Sequence, residues 1–227
     1  MPSLNRRIAI CPLRKYVWVR VTKAANSTVS ATLWAAMGQA GDPIDNSKRS
    51  SDKVSRKSSF IRPSALTKKQ VAELSNNYKK IIFVRNPYTR VLSAYLDKGR
   101  ISNDLARKFS NYDGEAGTRA GFEGFCRYLA NGGVYEDPHW YPQNRLCPFP
   151  SEELDFVGKM ENLNSDLNRL LDWLGLPAQD LVRAGPKPTG ASGRIAEFYS
   201  EESEQIIKSL YSDDFRMFGY SENLQDA

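Results

Sequence analysis

The period of hydrophobic and polar positions changes repeatedly along this chain. Residues 16–22 carry a dense run of β-branched and aromatic side chains (Tyr16, Val17, Trp18, Val19, Val21), which predicts a strand. A polar turn follows. Apolar positions at helical spacing then predict a helix over 28–39, stopped by Gly38 and Gly41. The same pairing recurs further on. Ile81, Ile82, Phe83 and Val84 read as a strand over 80–84, and Val91, Leu92 and Tyr95 share one face of a helix over 87–98. Around this frame the pattern adds a short strand near Ile8–Cys11, a helix from an N-cap at Thr67 through Leu74, and a helix over 122–129. Beyond those come a strand over 155–159, a helix carried by Leu163, Leu167, Leu170, Leu171 and Leu174, and a last helix over 201–210, with Phe215 to Tyr220 packing back on the core. Strands alternating with helices predict an α/β fold around a mostly parallel sheet. Ligands then belong beyond the carboxyl ends of the strands. The length of 227 residues fits one domain, 1–227, and residues 42–63, rich in Ser, Lys, Arg and Asp, read as a long, partly mobile basic loop.

Each strand-to-helix junction carries anion-binding chemistry. At the second, Arg85 follows the strand, Pro87 suits the first helical turn, and Ser93 lies one turn further along. Free N–H groups and a positive dipole end suit such a junction to an anion. The other reading is a buried strand whose Arg85 serves a structural ion pair. At the first junction Lys23 sits in the turn, and Asn26, Ser27 and Thr28 crowd the expected helix start as N-capping residues do. The layout is that of a phosphate loop with a lysine point charge. It is not a Walker A loop, because residues 20–30 contain no glycine.

Two such seats suggest a ligand with two separated phosphate-type groups, and here the chain resembles a known family. Strand–loop–helix with a lysine, followed by strand-Arg-x-Pro and a later serine, resembles the sulfotransferases that use 3'-phosphoadenosine 5'-phosphosulfate (PAPS). Three further segments resemble the branch of carbohydrate sulfotransferases related to the chondroitin and dermatan 4-O enzymes. These are His139-Trp140-x-Pro142 with Leu146-Cys147, Asp155 to Glu161, and Tyr211-x-x-Asp214-Phe215-x-x-Phe218-Gly219-Tyr220.

The resemblance implies a three-layer α/β sandwich with a P-loop-like phosphosulfate loop. It also implies transfer of the sulfuryl group of PAPS to an acceptor hydroxyl, on a carbohydrate or glycoconjugate, releasing 3'-phosphoadenosine 5'-phosphate (PAP). Lys23 is then the group that neutralises the leaving phosphate, with Ala25, Asn26, Ser27 and Thr28 cradling it. Arg85 and Ser93 bind the 3'-phosphate. His139, the single histidine, is the candidate general base, with Asp97, Asp113, Glu115 and Glu161 as alternatives. The segment 183–194, with Arg183, Lys187 and Arg194, reads either as a solvated loop or as a cover for the 3'-phosphate. Arg90 and Lys98 read as surface cations. The chain departs from the family pattern at Thr22, where proline is usual, and over Asn26 to Val29, where the 4-O branch has Cys-Thr-Asn-Trp.

Charge and cysteine usage narrow the alternatives. Residues 1–110 hold 22 Lys/Arg against 6 Asp/Glu, a balance of +16, while residues 111–227 hold 10 against 20, a balance of −10. The basic half carries both anion seats. It also keeps a non-enzymatic nucleic-acid or polyanion binder among the readings, beside a nucleotide-binding kinase-like phosphotransferase. Against the first stands the lack of aromatic interleaving among Lys48, Arg49, Lys53, Arg56 and Lys57. Cys11, Cys126 and Cys147 offer no metal spacing and read as reduced thiols; no metal is expected. No apolar run reaches the roughly 18 residues of a membrane span. The family's animal members carry a membrane anchor and work in the Golgi, whereas this chain reads as cytoplasmic, or as a catalytic domain cut from something longer.

Overall fold

The computed structural model describes residues 4–43, 60–98, 117–185 and 187–227. In chain order the main elements are β1 (Ile8–Cys11), β2 (Tyr16–Val19), α1 (Asn26–Gln39), α2 (Lys68–Asn77), β3 (Lys79–Val84) and α3 (Pro87–Lys98), then α4 (Arg119–Ala130), β4 (Phe156–Lys159), α5 (Leu163–Trp173), α6 (Glu201–Leu210) and α7 (Ser212–Phe218). They group into two compact units. A sheet unit takes residues 3–84 and 147–186, and a helical unit takes 85–146 and 187–227.

The sheet unit holds all four strands in the order β1-β2-β3-β4. β2, β3 and β4 run parallel, and β1 is antiparallel to β2 with Ile8 opposite Val19. β1 and β2 are buried at every position, so side chains on both faces are covered, as parallel sheets demand. One face, through Trp18, Ile81 and Phe83, meets Val29 and Leu33 of α1 and Leu167, Leu170 and Leu171 of α5. Each fully buried leucine of this kind stabilises the fold by roughly 1.5–3 kcal/mol. β4 comes so close that a Cβ on Gly158 would meet the Phe83 ring at 2.3 Å, so only glycine fits there.

The helical unit is built on aromatic side chains. Tyr88, Tyr95, Phe122, Phe125, Trp140, Phe198, Tyr199, Tyr211 and Phe215 form one buried cluster. Ring centroids lie 4.8 Å apart for Phe122–Tyr199 and 4.9 Å for Tyr88–Phe215, edge-on or tilted as the ring quadrupoles prefer. The phenols stay paired. Tyr88 donates to the Glu222 carbonyl (2.7 Å), Tyr199 to the Tyr88 carbonyl (2.9 Å), and Tyr211 to the Trp140 carbonyl. α3 is buried at every position from Pro87 to Leu96, which makes it the central helix of this unit.

Element ends explain where the sequence expectation and the structure part. β2 stops at Val19, three residues before the expected end, because the chain enters a turn with Lys23 (φ 65°) and Ala25 (φ 56°) in the left-handed region. α1 begins at Asn26, ahead of the expected residue 28, and ends at Gln39 with Gly41 (φ 78°), not Gly38, as the stop. α2 is closed by a capping box between Thr67 and Gln70. Phe215 packs in the core as expected, and does so from a further helix, α7.

Most of the expected loop 42–63 lies outside the described residues, and its described ends are fixed. Asp42 pairs with Arg14 (2.6 Å), and Phe60 packs edge-on against Tyr16 and Trp18. The thiols divide between the units: Cys11 is buried in one, Cys126 in the other, and burial pushes both above the ordinary thiol value. Among the described residues no helix is long and apolar enough to cross a membrane.

Candidate active site

In the sheet unit the first expected anion seat lies where β2 hands over to α1. Lys23 and Ala25 adopt positive φ without being glycine, a conformation that costs roughly 1–2 kcal/mol for each residue. Left-handed residues that alternate with right-handed ones turn successive N–H groups toward one point and form an anion-binding nest. Ala25 is the N-cap of α1 and offers no side-chain cap. Asn26, Ser27 and Thr28 are therefore not the caps that their residue types suggest. They form the first turn, where backbone N–H groups have no partner within the helix. The Asn26 amide oxygen is buried without a hydrogen-bond partner among the described residues. Gly185 (φ 98°) lies against Ser27; a Cβ there would sit 3.0 Å from the Ser27 hydroxyl oxygen. Just before it, the Val182 N–H bonds the Thr32 hydroxyl (2.9 Å), so residues 182–185 run beside α1 toward its N-terminus.

The second seat, in the helical unit, is made differently. Asn86 caps α3: its side-chain oxygen accepts from the Tyr88 N–H (2.9 Å), and its carbonyl accepts from the Arg90 N–H (2.9 Å). Pro87 contributes no N–H at all. The expected free N–H groups are thus largely used by the cap, which leaves the Arg85 and Ser93 side chains as the donors at this junction. Arg85 is 5% exposed. Its backbone exchanges two bonds with the Gln143 amide (3.0 and 2.8 Å), and its guanidinium donates to Thr89 (3.0 Å) and Ser192 (3.3 Å). Gln143 is itself held, because its N–H and that of Asn144 both donate to the Asp214 carboxylate (2.8 and 2.7 Å). Burial raises the Asp214 carboxyl above its ordinary value, while those two N–H groups and Arg90 pull it back. Ser93 shares a hydrogen bond with Thr189 (3.1 Å). The hydroxyls of residues 189 and 192, not the charges expected of the 183–194 segment, therefore meet Arg85 and Ser93. Arg194 instead forms a forked pair with Glu197 (2.8 and 2.6 Å).

His139 stands on a pinned loop of the same unit. Arg90 donates to the Pro138 carbonyl (3.3 Å), Trp140 donates its indole N–H to Gly133 (2.8 Å), and Tyr211 holds the Trp140 carbonyl. Arg90 is 0% exposed, which corrects its reading as a surface cation; it is a buried support for this loop. With both neighbours fixed, the half-buried imidazole sets Nδ1 2.6 Å from Asp137. Burial pushes the Asp137 carboxyl up, but the His139 ring and backbone N–H outweigh it and leave it below its ordinary value. An Asp–His pair of this kind fixes the tautomer and leaves Nε2 to accept a proton. Among the alternative bases, Asp97 pairs with Lys98 (3.3 Å), Glu161 is exposed on a short helical turn, and Asp113 and Glu115 lie outside the described residues.

Sequence reasoning missed Asp137, Gln143, Thr189 and Ser192. Asp137 stands two residues before His139, a spacing at which a carboxylate can reach back to the ring. The other three act across 58 to 107 residues of chain, and no local pattern signals them.

Comparison with known proteins gives a family-model match described as "Sulfotransferase family" over residues 6–221. Among curated proteins, the chain is 30% identical to carbohydrate sulfotransferase 14 of Mus musculus, over 77% of this chain and 48% of that protein. It is 32% identical to carbohydrate sulfotransferase 12 of Xenopus laevis (63% and 40%) and 28% identical to carbohydrate sulfotransferase 8 of Homo sapiens (99% and 58%). The chain spans about half the length of the curated relatives it matches. No solved structure gives a significant match. The cytoplasmic expectation is overturned: the matched carbohydrate sulfotransferases are Golgi enzymes, and the lack of a membrane-crossing helix among the described residues does not place the chain elsewhere. With a match across residues 6–221 and the α/β fold built on a mostly parallel sheet, this chain belongs to the sulfotransferase family.

Proposed function

We propose that the chain is a PAPS-dependent O-sulfotransferase that acts on a carbohydrate hydroxyl and forms one catalytic domain over residues 1–227. The observation that carries this reading is the strained, glycine-free loop at Lys23 and Ala25, which opens directly into an uncapped helix. Strain held in a loop next to unpaired N–H groups is understandable as preorganisation for an anion. Family membership and the names of the relatives support carbohydrate as the acceptor class.

PAPS supplies the activated sulfuryl group when bound. The chain's own residues supply position and charge, as in phosphoryl transfer. Lys23 neutralises charge on the departing 5'-phosphate, and Ala25, Asn26, Ser27 and Thr28 hold that phosphate through N–H groups and hydroxyls. Arg85 and Ser93 take the 3'-phosphate, with Arg85 held in place by Gln143, Thr89 and Ser192. His139 accepts the acceptor's hydroxyl proton at Nε2, and Asp137 holds the proton on Nδ1. Among the described candidate bases, His139 is the one held by a carboxylate partner and by fixed residues on both sides.

Calorimetric titration with PAP, AMP and ATP tests the reading. PAP binding in the micromolar range with AMP at least ten times weaker is the expected result. Equal binding of PAP and AMP would remove the donor assignment, and preference for ATP would point to phosphoryl transfer instead.

A further inference from the structure

A cavity of about 440 Å³, within the usual range of ligand sites, opens in the sheet unit beside β1. Its lining includes Asn5, Arg6, Arg7, Arg20, Phe60 and Arg62, and none of its lining residues is acidic. Its walls are tied together. The Arg20 N–H bonds the Arg7 carbonyl (2.8 Å), Ile61 exchanges two backbone bonds with Ile10 (3.2 and 2.9 Å), and the Ser64 N–H bonds the Asn5 side chain (3.0 Å). Phe60, held against Tyr16 and Trp18, supplies an apolar wall.

Four guanidinium groups around one cavity repel each other. Arg20 shows the effect: burial, and then the charge of Arg62, lowers its pKa. Its Nε is buried without a hydrogen-bond partner among the described residues. A buried donor left unpaired carries a desolvation cost that a bound acceptor group recovers. Guanidinium forks match planar or tetrahedral oxyanions. Position gives the cavity its meaning. Arg20 directly follows the last residue of β2 and stands three residues before Lys23, so cavity and phosphate loop share the carboxyl end of one strand.

We infer that this cavity binds an oxyanion substituent, carboxylate or sulfate, of the acceptor glycan, so that Arg6, Arg20 and Arg62 select acidic chains. This rests on the sulfotransferase reading above.

The test is calorimetric titration of matched oligosaccharides into the wild-type chain and two variants. The Arg6→Ser/Arg62→Ser double variant changes two exposed side chains, and Arg20→Gln changes the half-buried one. The ligands are unsulfated chondroitin oligosaccharide (carboxylate only), its carboxyl-reduced sulfated form (sulfate only) and its carboxyl-reduced unsulfated form (neutral). The wild type should bind at least one acidic form more than tenfold better than the neutral one, and whichever is favoured identifies the substituent. The double variant should lose that preference while its PAP affinity stays within twofold. Wild-type binding without preference, or a variant that keeps it, overturns the inference. So does duplex DNA competing as well as the acidic glycan. Loss of PAP binding by the wild type would instead sink the sulfotransferase reading itself.

Discussion

The two proposed phosphate seats use opposite means. At Lys23 the backbone bends through two left-handed residues and leaves the N-terminus of α1 without a side-chain cap, so main-chain N–H groups are the proposed donors. At Arg85 it caps α3 with Asn86 and buries a side-chain network through Gln143 to Asp214. The first seat stores strain, and Ala25 is the one of its proposed residues that packs against the core cluster of its unit. The second is part of the core of its unit, so it cannot be altered without disturbing the fold. Loss of function and loss of stability should therefore separate at the first seat and coincide at the second.

The largest effect should follow Asp214→Ala. It removes the acceptor of two buried N–H groups and a charge near buried Arg90, so stability should fall by about 3–5 kcal/mol in urea denaturation. A loss under about 1 kcal/mol would mean the network is not structural. Next comes Lys23→Ala. Turnover should drop about 10²–10³-fold while PAP affinity and the urea midpoint change little. Parallel loss of turnover and affinity would move Lys23 from the departing group to simple binding.

Arg85→Ala should weaken PAP by roughly 10–100-fold and AMP far less, and should also lower stability, because Thr89 and Ser192 lose a buried partner. A selective binding loss without any stability loss would break the contrast between the seats. Asp137→Asn should lower turnover by about 10–100-fold, since the amide no longer fixes the tautomer of His139. The carboxyl of Asp137 is lower in the folded protein than in the unfolded chain. Its stabilising effect is therefore present above its ordinary value of 3.8 and is lost as pH falls through the lower folded value. The variant should lose that part of the acid sensitivity, seen by comparing urea midpoints at about pH 3 and pH 7. The smallest effect belongs to Ala25→Gly. Relief of the left-handed strain should raise stability by about 1 kcal/mol or less, and Ala25→Val should lower it.

Most strands and helices were legible, because hydrophobic period and helix caps are local properties. Helix 87–98 and helix 201–210 lie where the pattern puts them. The start of α1 was not, because Asn26, Ser27 and Thr28 are typical capping residues, and the turn that preempts them is set by Lys23 and Ala25, neither of which advertises positive φ. The proposed anchors Lys23 and Arg85 were legible as cations at junctions. What holds Arg85 was not, since Gln143 and Ser192 reach it from distant parts of the chain. Arg90 misled for a related reason: a lone arginine on a helix reads as exposed, and only tertiary packing of α3 on all sides buries it.

The placement of the thiols makes the chain its own reporter. Cys11 and Cys126 are shielded in the native protein, one in each unit, whereas Cys147 is partly accessible. An alkylating reagent added under native conditions should therefore modify position 147 first. The other two should react only as their own surroundings open. Peptide mapping over time would then give two opening rates from one unmodified sample. Identical rates would mark a single cooperative unit; unequal rates would show which half yields first, and adding PAP would reveal which half the nucleotide steadies.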